Sequence, residues 1–335
     1  MRLVILARLG YVLAVLVAVS FITFCLSRMI PGDPAAMIAG PRATTQEIAA
    51  IQLRLGLNRP WPAQYGLYLR DLMRGDLGSS IVTGRPVLDD LRTYAPATFE
   101  LMGIAFILST MLGVVGGVAA AATNRSWIDR TIRGVVILAI SVPPFIVGLG
   151  LLTVLYGTLG LLPGAGRLST GIEPPPHVTG LYIVDFLIAG RPILAIDALS
   201  HVALPAITLA LMSMGKVLRL TRAAMLESLS QDYIRTARAL GTSEIRTLIR
   251  HALPNAALTI VTFLGLELGS LIFGSVIVES IFSWPGTGTY ILNSIMNLDF
   301  PAIMAFATAS SIVYCIVNLL IDLLYVVIDP RLRRS

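Results

Sequence analysis

Residues 99–122 read FELMGIAFILSTMLGVVGGVAAAA, an apolar run in which Glu100 is the only charged side chain. A membrane-spanning helix needs about 20 consecutive, mostly apolar residues, so this run predicts a helix that crosses a bilayer. Further windows of the same kind occupy residues 9–26, 135–156, 202–220, 257–282 and 302–328. The chain is therefore expected to be an all-α polytopic membrane protein with six transmembrane helices.

The overall composition agrees with this expectation. Of the 335 residues, 56% are hydrophobic and 13% are charged, about half of the roughly 25% charged residues that soluble domains carry. A soluble fold needs more polar cover than this, which argues against a cytosolic enzyme, a secreted disulfide scaffold and a disordered chain. The two cysteines, Cys25 and Cys315, lie far apart in apolar runs and predict neither a disulfide framework nor a metal site.

The positions of the basic residues predict the orientation in the membrane. Short cytoplasmic loops of membrane proteins carry an excess of Lys and Arg, whereas residues 283–301 contain neither. Basic residues instead cluster before the first window, between the second and third, after the fourth and at the C-terminus. Both termini are therefore expected in the cytoplasm. This orientation accounts for most of the formal net charge of +6 without nucleic-acid binding.

The windows divide the chain into predicted regions. These are an N-terminal transmembrane helix at 1–28, an extracytoplasmic loop domain at 29–97, a five-helix core at 98–330 with a cytoplasmic loop at 221–255, and a cytoplasmic tail at 331–335. The first helix is expected to be retained, because Ser27-Arg28-Met29 follows it instead of a small-residue cleavage site. In the loop domain, Thr44-x-x-Glu47 matches a capping box, and a second helix is predicted at about 64–74.

The cytoplasmic loop at 221–255 is the most informative stretch. Its pattern predicts two short amphipathic helices that are broken at Gly241, with Thr242 or Ser243 capping the second. Small residues such as Ala237 permit close backbone approach, and several arginines supply positive charge. A basic amphipathic helix on this side either lies on anionic lipid or inserts into a groove of a soluble partner. The spacing alone does not choose between the two.

A family resemblance enters at this loop. Thr236-Ala237-x-x-x-Gly241, followed by His251-Ala252-Leu253-Pro254, resembles the E-A-A-x-x-x-G…I-x-L-P loop of ABC importer permeases. Arg235 stands where the general motif has Glu and His251 where it has Ile, and the peptide-permease branch shares both departures. That branch commonly has Lys where this chain has Leu240. The resemblance implies an ATPase-coupling segment that comprises Asp232, Tyr233, Arg235, Thr236, Ala237, Arg238, Ala239, Gly241, Leu253 and Pro254.

Other collinear stretches are similar to dipeptide and oligopeptide permeases. They are MIPGDP at 29–34, LGLNRP at 55–60, GDLG at 75–78, ESIFSWPGTG at 279–288 and the C-terminal region around 318–331. Within the last two, the resemblance implies structural motif positions at Glu279, Trp284, Pro285, Gly286, Gly288, Asn318 and Asp322. The chain resembles the B-type subunit of a dipeptide or oligopeptide ABC importer over nearly its whole length.

The resemblance also implies partners and a division of labour. A type I ABC importer permease of this kind forms half of a transmembrane pathway in the bacterial cytoplasmic membrane, beside a second homologous permease. Two ATPase subunits bind ATP and Mg, this chain holds no cofactor or metal, and an extracytoplasmic binding protein delivers the peptide. The coupling segment would sit in a groove of one ATPase. Relatives with this outline also carry nickel, glutathione or sugars, so the cargo stays open.

Polar groups inside the windows are candidates for the translocation pathway, because burying them in lipid is expensive. Glu267 lies in the middle of the fifth window, where a neighbouring helix holds it or it faces the pathway and meets the amino end of a peptide. Ser141-Val142-Pro143 interrupts the third window, which either frees carbonyls to line a cavity or is a packing kink. Asn318 and Asp322 are expected to be structural, paired with Arg331 or Arg222.

Two other classes of function are weighed against an importer subunit. An ion-coupled secondary transporter is the alternative, but such carriers usually show internal repeats around mid-membrane ionisable groups, and Glu267 is the only good candidate here. A membrane enzyme is disfavoured, because residues 210–217 lack the first Gly and the final hydroxyl of a Walker A motif. His177, His201 and His251 match no metal-site spacing. We therefore expect a transport subunit rather than an enzyme.

Overall fold

The computed structural model describes residues 2–29, 35, 43–54, 56–124 and 126–328. These residues are predominantly helical, and the only β pairing among them is an isolated bridge between Ser79 and Pro86. The helices long and apolar enough to cross a membrane are Gly10–Met29, Val87–Ala122, Pro192–Leu229, Glu244–Ile281 and Phe300–Ile321. The prediction of an all-α membrane protein is confirmed, with five such helices in the described part of the chain.

The helices are labelled here in chain order. They are α1 (Arg2–Met29), α2 (Thr45–Arg54), α3 (Trp61–Met73), α4 (Val87–Ala122), α5 (Trp127–Ser141), α6 (Pro144–Leu151), α7 (Tyr182–Ile188), α8 (Pro192–Leu229), α9 (Asp232–Ala239), α10 (Glu244–Arg246), α11 (Leu253–Ile281), α12 (Thr287–Met296) and α13 (Phe300–Ile328). Segments of π-helix at Leu152–Thr158 and Thr247–Ala252 continue α6 and α10.

The third apolar window is interrupted, as its prolines predict. Helix α5 ends at Ser141 and α6 begins at Pro144. Pro143 precedes α6 with φ −56° and ψ 138°, an extended conformation that a following proline favours. Pro144 suits the first helical position, where no N–H is needed. The apolar helix that follows, Pro144–Thr158, is shorter than the five candidate spans.

The chain divides into two compact units. The first comprises Met1–Ala95 and Thr289–Cys315, and the second comprises Pro96–Gly288 and Ile316–Ser335. The expected boundary between loop domain and helical core, at residue 98, falls inside the continuous helix α4. Helix α4 starts earlier than its apolar window because residues 87–98 are amphipathic rather than apolar and therefore extend the helix without lengthening the apolar run.

The first unit contains the capping box that the sequence predicts. The backbone N–H of Thr44 donates to Glu47 Oε2 (2.7 Å), and the N–H of Glu47 donates to Thr44 Oγ1 (3.3 Å). Donation from the Thr44 N–H and hydroxyl holds the pKa of Glu47 below its ordinary value. The predicted second helix is α3, which ends before Gly75, whose φ of +78° suits a helix terminus.

In the second unit, α4, α8 and α11 pack closely. A Cβ added at Gly113 would lie 2.7 Å from Val217 Cβ, and one at Gly117 would lie 2.5 Å from Thr221 Cβ. Only glycine at both positions lets α4 approach α8 this closely. Helix α11 runs antiparallel to α8, because Ser213 and Ser228 of α8 bond to Glu267 and Ala252 respectively. This packing positions the loop that follows α8.

Candidate functional site

The coupling segment, residues 232–254, begins with a helix that is anchored on one face. Ile234 is fully buried and Ala237 is 8% exposed. Ile234 packs in an apolar cluster with residues of α4, α8 and the start of α11. Ala237 therefore lies against its own chain, where its small side chain allows α9 to approach the helices.

A hydrogen-bonded joint connects α9 to the helices on both sides of it. Ser228 Oγ, near the end of α8, donates to the carbonyl oxygen of Ala252 (2.9 Å). Because a serine hydroxyl has one proton, the Tyr233 hydroxyl is the donor in its 2.7 Å contact with Ser228 Oγ. The three bonded groups tie the end of α8, the coupling helix α9 and the start of α11 together. The two bonds thereby link α9 to two candidate membrane spans.

The resemblance to ABC importer permeases implies that removing this joint weakens the coupling between ATP hydrolysis and transport. Ser228→Ala deletes the hydroxyl and leaves the Ala252 carbonyl and Tyr233 hydroxyl without their partner, so uptake by the assembled transporter should fall roughly threefold to tenfold. Ser230→Ala is the matched control, because the Ser230 hydroxyl bonds, among the described residues, only to Glu227 O at the end of α8. Equal uptake rates in the two variants would contradict a role for the joint.

Gly241 ends α9 in a left-handed conformation with φ +79°. The N–H of Gly241 donates to Arg238 O (3.0 Å), and the N–H of Thr242 donates to Ala237 O (3.1 Å). These bonds satisfy carbonyls at the helix end. A Cβ at Gly241 would meet no atom of the residues that the structure describes within 4 Å, so among them the requirement for glycine comes from φ rather than from close approach.

An ion pair spans the turn at Gly241. Arg238 Nε and Nη2 donate to Glu244 Oε1 and Oε2, each at 2.9 Å. A bidentate pair of this kind fixes direction as well as distance. It links α9 to the helix that follows the turn.

The helix after the turn is not a separate element. Ser243 stands at its N-terminus but makes no side-chain capping bond. From Glu244 the chain continues through the π segment into α11, so that Glu244–Ile281 is one 38-residue helix. The N–H of Leu253 bonds to Leu248 O, five residues back, and this wider register accommodates Pro254, which has no N–H to donate. The predicted second amphipathic helix is therefore an extension of the fifth span.

The solvent-exposed side of the coupling segment carries both apolar side chains and arginines. Leu240, Ile245 and Ile249 are 81%, 71% and 60% exposed. The exposed basic residues around them are Arg235, Arg238, Arg246 and Arg250. We call these seven residues the coupling patch. Exposed apolar side chains rimmed by polar groups are typical of a surface that another protein covers.

The second candidate region is the carboxylate of Glu267, which α8 holds. Ser213 Oγ donates to Glu267 Oε2 (2.7 Å), and Lys216 Nζ lies 3.1 Å from Oε1. The Glu267 side chain is 8% exposed and that of Lys216 is 42% exposed. A neighbouring helix thus satisfies the carboxylate, as one of the two interpretations of the sequence expects. Ser213 and Lys216 were not among the predicted site residues.

Comparison with known families identifies the chain. The model described as "Binding-protein-dependent transport system inner membrane component" matches residues 113–334, and its N-terminal counterpart matches residues 1–102. The chain belongs to this family. The permease is therefore a transport subunit and not an enzyme, and it is a multi-pass protein of the bacterial inner membrane. Family membership implies ATPase and binding-protein partners.

Individual relatives match the permease over almost its full length. The probable D,D-dipeptide transport system permease protein DdpB of Escherichia coli K12 is 47% identical over 326 residues, covering 97% of this chain and 96% of that protein. The dipeptide transport system permease protein DppB of the same strain is 38% identical over 334 residues, covering 99% and 98%. The glutathione transport system permease protein GsiC of Escherichia coli O6:H1 is 34% identical over 326 residues, covering 97% of each.

The motif at 279–288 forms a buried polar hub in the permease. Glu279 is fully buried; its Oε1 accepts from Thr98 Oγ1 (2.8 Å) and its Oε2 from the N–H of Gly288 (2.7 Å). A Cβ at Gly288 would lie 2.7 Å from Glu279 Oε2, so glycine allows the backbone to reach the carboxylate. Trp284 Nε1 donates to Ala97 O (2.9 Å). A Cβ at Gly286 would also collide with the Glu279 carboxylate. Pro285, the neighbouring motif residue, is exposed.

A buried ion pair between Arg167 and Glu100 was not predicted from the sequence. Arg167 Nη2 donates to Glu100 Oε2 and to Gly180 O, and its guanidinium lies 3.4 Å from the centre of the Tyr182 ring. Glu100 Oε1 also accepts from the N–H of Ile183 (2.9 Å). The pair fastens the loop before α7 to α4. No spacing signal joins an arginine in a loop to a glutamate 67 residues earlier.

The remaining predicted residues are placed as follows. Ser141 and Pro143 lie at the exposed break between α5 and α6, and no hydrogen bond links them to Glu267 among the described residues. Among the described residues, Arg222 makes no hydrogen bond to Asn318, and its predicted pairing with Asp322 concerns a side chain outside them. The acceptors of Arg222 are Asp129 Oδ1 (2.7 Å), Asp129 Oδ2 (2.9 Å) and Asn124 Oδ1 (3.1 Å).

The predicted pairing with Arg331 involves groups that the structure does not describe. Arg331 and the side chain of Asp322 lie outside the described residues. The described part of the permease contains no group of three or more His, Cys, Asp or Glu residues placed to hold a metal ion.

Proposed function

We propose that this permease forms half of the transmembrane pathway of a peptide ABC importer. The observation that carries the proposal is the coupling patch, an exposed apolar and basic surface on the segment that resembles the ATPase-contacting loop of such permeases. The names of the relatives support a peptide cargo, since two are permeases of dipeptide systems and one of a glutathione system. A second homologous permease completes the pathway, and an extracytoplasmic binding protein delivers the peptide.

The proposed topology has six crossings with both termini in the cytoplasm. The five candidate spans supply five of the crossings. The remaining crossing, which is third in chain order, is supplied by α5 and α6 together with the π segment that continues α6. The distribution of basic residues supports this orientation. It places the region 29–97 outside the cell and both 221–255 and 331–335 inside. Asn318 and Asp322 keep a proposed structural role in the last crossing.

The coupling segment is proposed to fit a groove of one ATPase subunit, which binds ATP and Mg²⁺. Leu240, Ile245 and Ile249 enter the groove, and Arg246 and Arg250, which make no ion pair with any other described residue, pair with its acidic rim. The residues with proposed coupling roles are Asp232, Tyr233, Arg235, Thr236, Ala237, Arg238, Ala239, Gly241, Leu253 and Pro254. Movement of the ATPases then reaches α8 and α11 through the Ser228 joint and the continuous helix Glu244–Ile281. The coupled helices expose the pathway alternately to each side.

A charge placed in the coupling patch is expected to detach the ATPases. Ile245→Asp puts a carboxylate where an apolar side chain would be buried, so recovery of ATPase subunits with the affinity-purified chain should fall at least about tenfold. Ile193→Asp is the control, because Ile193 is 80% exposed and lies at the opposite end of α8. Undiminished recovery with Ile245→Asp would remove the coupling patch from the proposed contact.

The function itself is tested by reconstitution of the whole importer in lipid vesicles. Labelled dialanine is supplied with the binding protein, and uptake is measured with ATP inside the vesicles. The proposal expects uptake that stops when the ATPase subunits carry an inactivating substitution. Uptake that survives this substitution and collapses with the proton gradient would instead establish the ion-coupled carrier. Uptake restricted to nickel, glutathione or a sugar would keep the importer and replace the cargo.

A further inference from the structure

Lys216 exposes a positive charge deep within a candidate membrane span. Lys216 lies four residues before the end of the fourth apolar window at 202–220, and its ammonium contacts Glu267, ten residues inside the fifth window at 257–282. The contact holds the charge within the apolar windows, where an unpaired lysine near a window edge would extend to the membrane surface. An ammonium facing lipid at this depth is strongly unfavourable. The exposed side of Lys216 therefore requires a polar or water-filled space, or a partner subunit.

Glu267 fixes the position of this ammonium without enclosing it. Lys216 Nζ lies 3.1 and 3.4 Å from the two Glu267 oxygens, and Glu267 is the middle residue of the 29-residue helix α11. Ser213 binds the same carboxylate from one turn earlier on α8. The Lys216 side chain nevertheless stays 42% exposed. An ammonium has three N–H donors, so a donor is left on the open side.

The surface beside Lys216 is open and carries a second cation. On α11, exposed residues recur every three or four positions along one face, at Leu266, Ser270, Phe273 and Ile277, and Glu267 lies at the margin of that face. On α8, Arg219 follows Lys216 by one turn and is exposed. Arg219 has no ion-pair partner within the described ranges. Two cations and one carboxylate leave this surface with an excess positive charge.

The acidic groups of the same two helices are already engaged. Glu267 is paired with Lys216, Glu279 is buried in its own hub, and Asp197 accepts from Ser169. Glu227 lies near the end of α8, far from the middle of the span. The open surface therefore offers donors to an anion and no comparable acceptor to a cation.

We propose that Lys216 binds the free C-terminal carboxylate of the peptide cargo during its passage, with Glu267 as the positioning residue that holds the ammonium. The inference rests on the proposed function in peptide import. It assigns to this surface the anionic end of the cargo rather than its amino end. The pairing of a mobile carboxylate with a fixed ammonium is weak enough in a hydrated pathway to permit release.

The test uses the complete importer in lipid vesicles, with the binding protein saturated by labelled dialanine. Lys216→Met should lower uptake about tenfold, the loss expected for one charge-assisted hydrogen bond, while stimulation of ATP hydrolysis by the loaded binding protein is retained. Lys216→Arg should restore more than half of the uptake. Because Lys216→Met leaves Glu267 without its cation, the double variant Lys216→Met/Glu267→Gln is measured in parallel and should show the same loss.

A second probe separates recognition of the carboxylate from a general defect. The C-terminal amide of dialanine has no anionic end, so Lys216→Met should leave any amide uptake unchanged while dialanine uptake falls. Wild-type dialanine uptake in Lys216→Met, or equal losses for both probes, would overturn the proposal. So would loss of the second permease from the purified complex, since Lys216 would then pair across that interface. If the wild-type importer shows no ATP-dependent uptake of either probe, the proposed function fails regardless of Lys216.

Discussion

Gly241→Val is expected to abolish ATP-driven uptake while the chain still inserts into the membrane. The φ of +79° at Gly241 costs an ordinary L-residue roughly 1–2 kcal/mol, and a β-branched side chain is worse. Because the turn is exposed, the chain can relieve this strain by changing its path. The bond from the Thr242 N–H to Ala237 O and the ion pair between Arg238 and Glu244 would then break. The coupling patch would lose its arrangement around the turn.

The size of the effect follows from the position of the turn. Leu240 precedes it and Ile245 follows it, so a change of direction separates the apolar side chains proposed to enter one groove. We expect uptake to fall by more than tenfold and the ATPases to hydrolyse ATP without transport or to dissociate. The measurements are uptake in vesicles and ATPase recovery from the same purified sample.

Two control variants distinguish loss of the turn from general instability. Gly241→Asn should retain most activity, because asparagine tolerates the left-handed region. Gly190→Val places the same strain at φ +69° in the connection between α7 and α8, where a Cβ also meets no described residue within 4 Å. It should leave ATPase recovery unchanged. If Gly241→Val transported peptide normally, the turn would have no role in coupling.

The main helices could be predicted because their signals are local. Apolar run length identified the membrane helices, Thr44 and Glu47 identified a cap, and the prolines at 143–144 identified the break in the third window. Helix ends were harder. Helix α4 extends back to Val87 through an amphipathic stretch that contains Pro96. In the sequence, Pro254 predicts a helix boundary. In the structure, the π turn before Pro254 accommodates the proline, and the helix runs without interruption from Glu244 into the fifth span.

The sequence predicted one member of each buried polar cluster, but not the partners on other helices. The cost of burying charge singled out Glu267, but Lys216 and Ser213 are 51 and 54 residues away in the sequence and no periodicity relates them. The same limit hid the Thr98 partner of Glu279, which is 181 residues distant. The three glycines at 113, 116 and 117 lie in a simple apolar run, where nothing local reveals that α8 packs against them. Pairing across helices is decided by packing, which a single sequence does not display.

Glu279→Ala is expected to have the largest effect on stability. It removes a fully buried carboxylate, leaves the Gly288 N–H without its acceptor and makes the Thr98 hydroxyl turn to Thr287 Oγ1. An unsatisfied buried group costs roughly 1–3 kcal/mol, and the lost side chain leaves a cavity in addition. The unsatisfied N–H, the lost bond to Thr98 and the cavity should together lower the midpoint of thermal unfolding in detergent by at least about 5 °C. The yield of folded chain should fall with it.

Glu279→Gln should be milder for a reason specific to this hub. The amide oxygen can still accept from the Gly288 N–H, and the amide nitrogen can donate to Thr98 Oγ1. Thr98 can then turn its proton toward Thr287 Oγ1, which lies 3.0 Å away, so that every group keeps a partner. Glu227→Ala serves as the control, because an exposed glutamate contributes within about 0.5 kcal/mol. The expected order of unfolding midpoints is wild type and Glu227→Ala highest, Glu279→Gln lower and Glu279→Ala lowest. An unchanged midpoint for Glu279→Ala would mean that the carboxylate does not hold α4 to the end of α11.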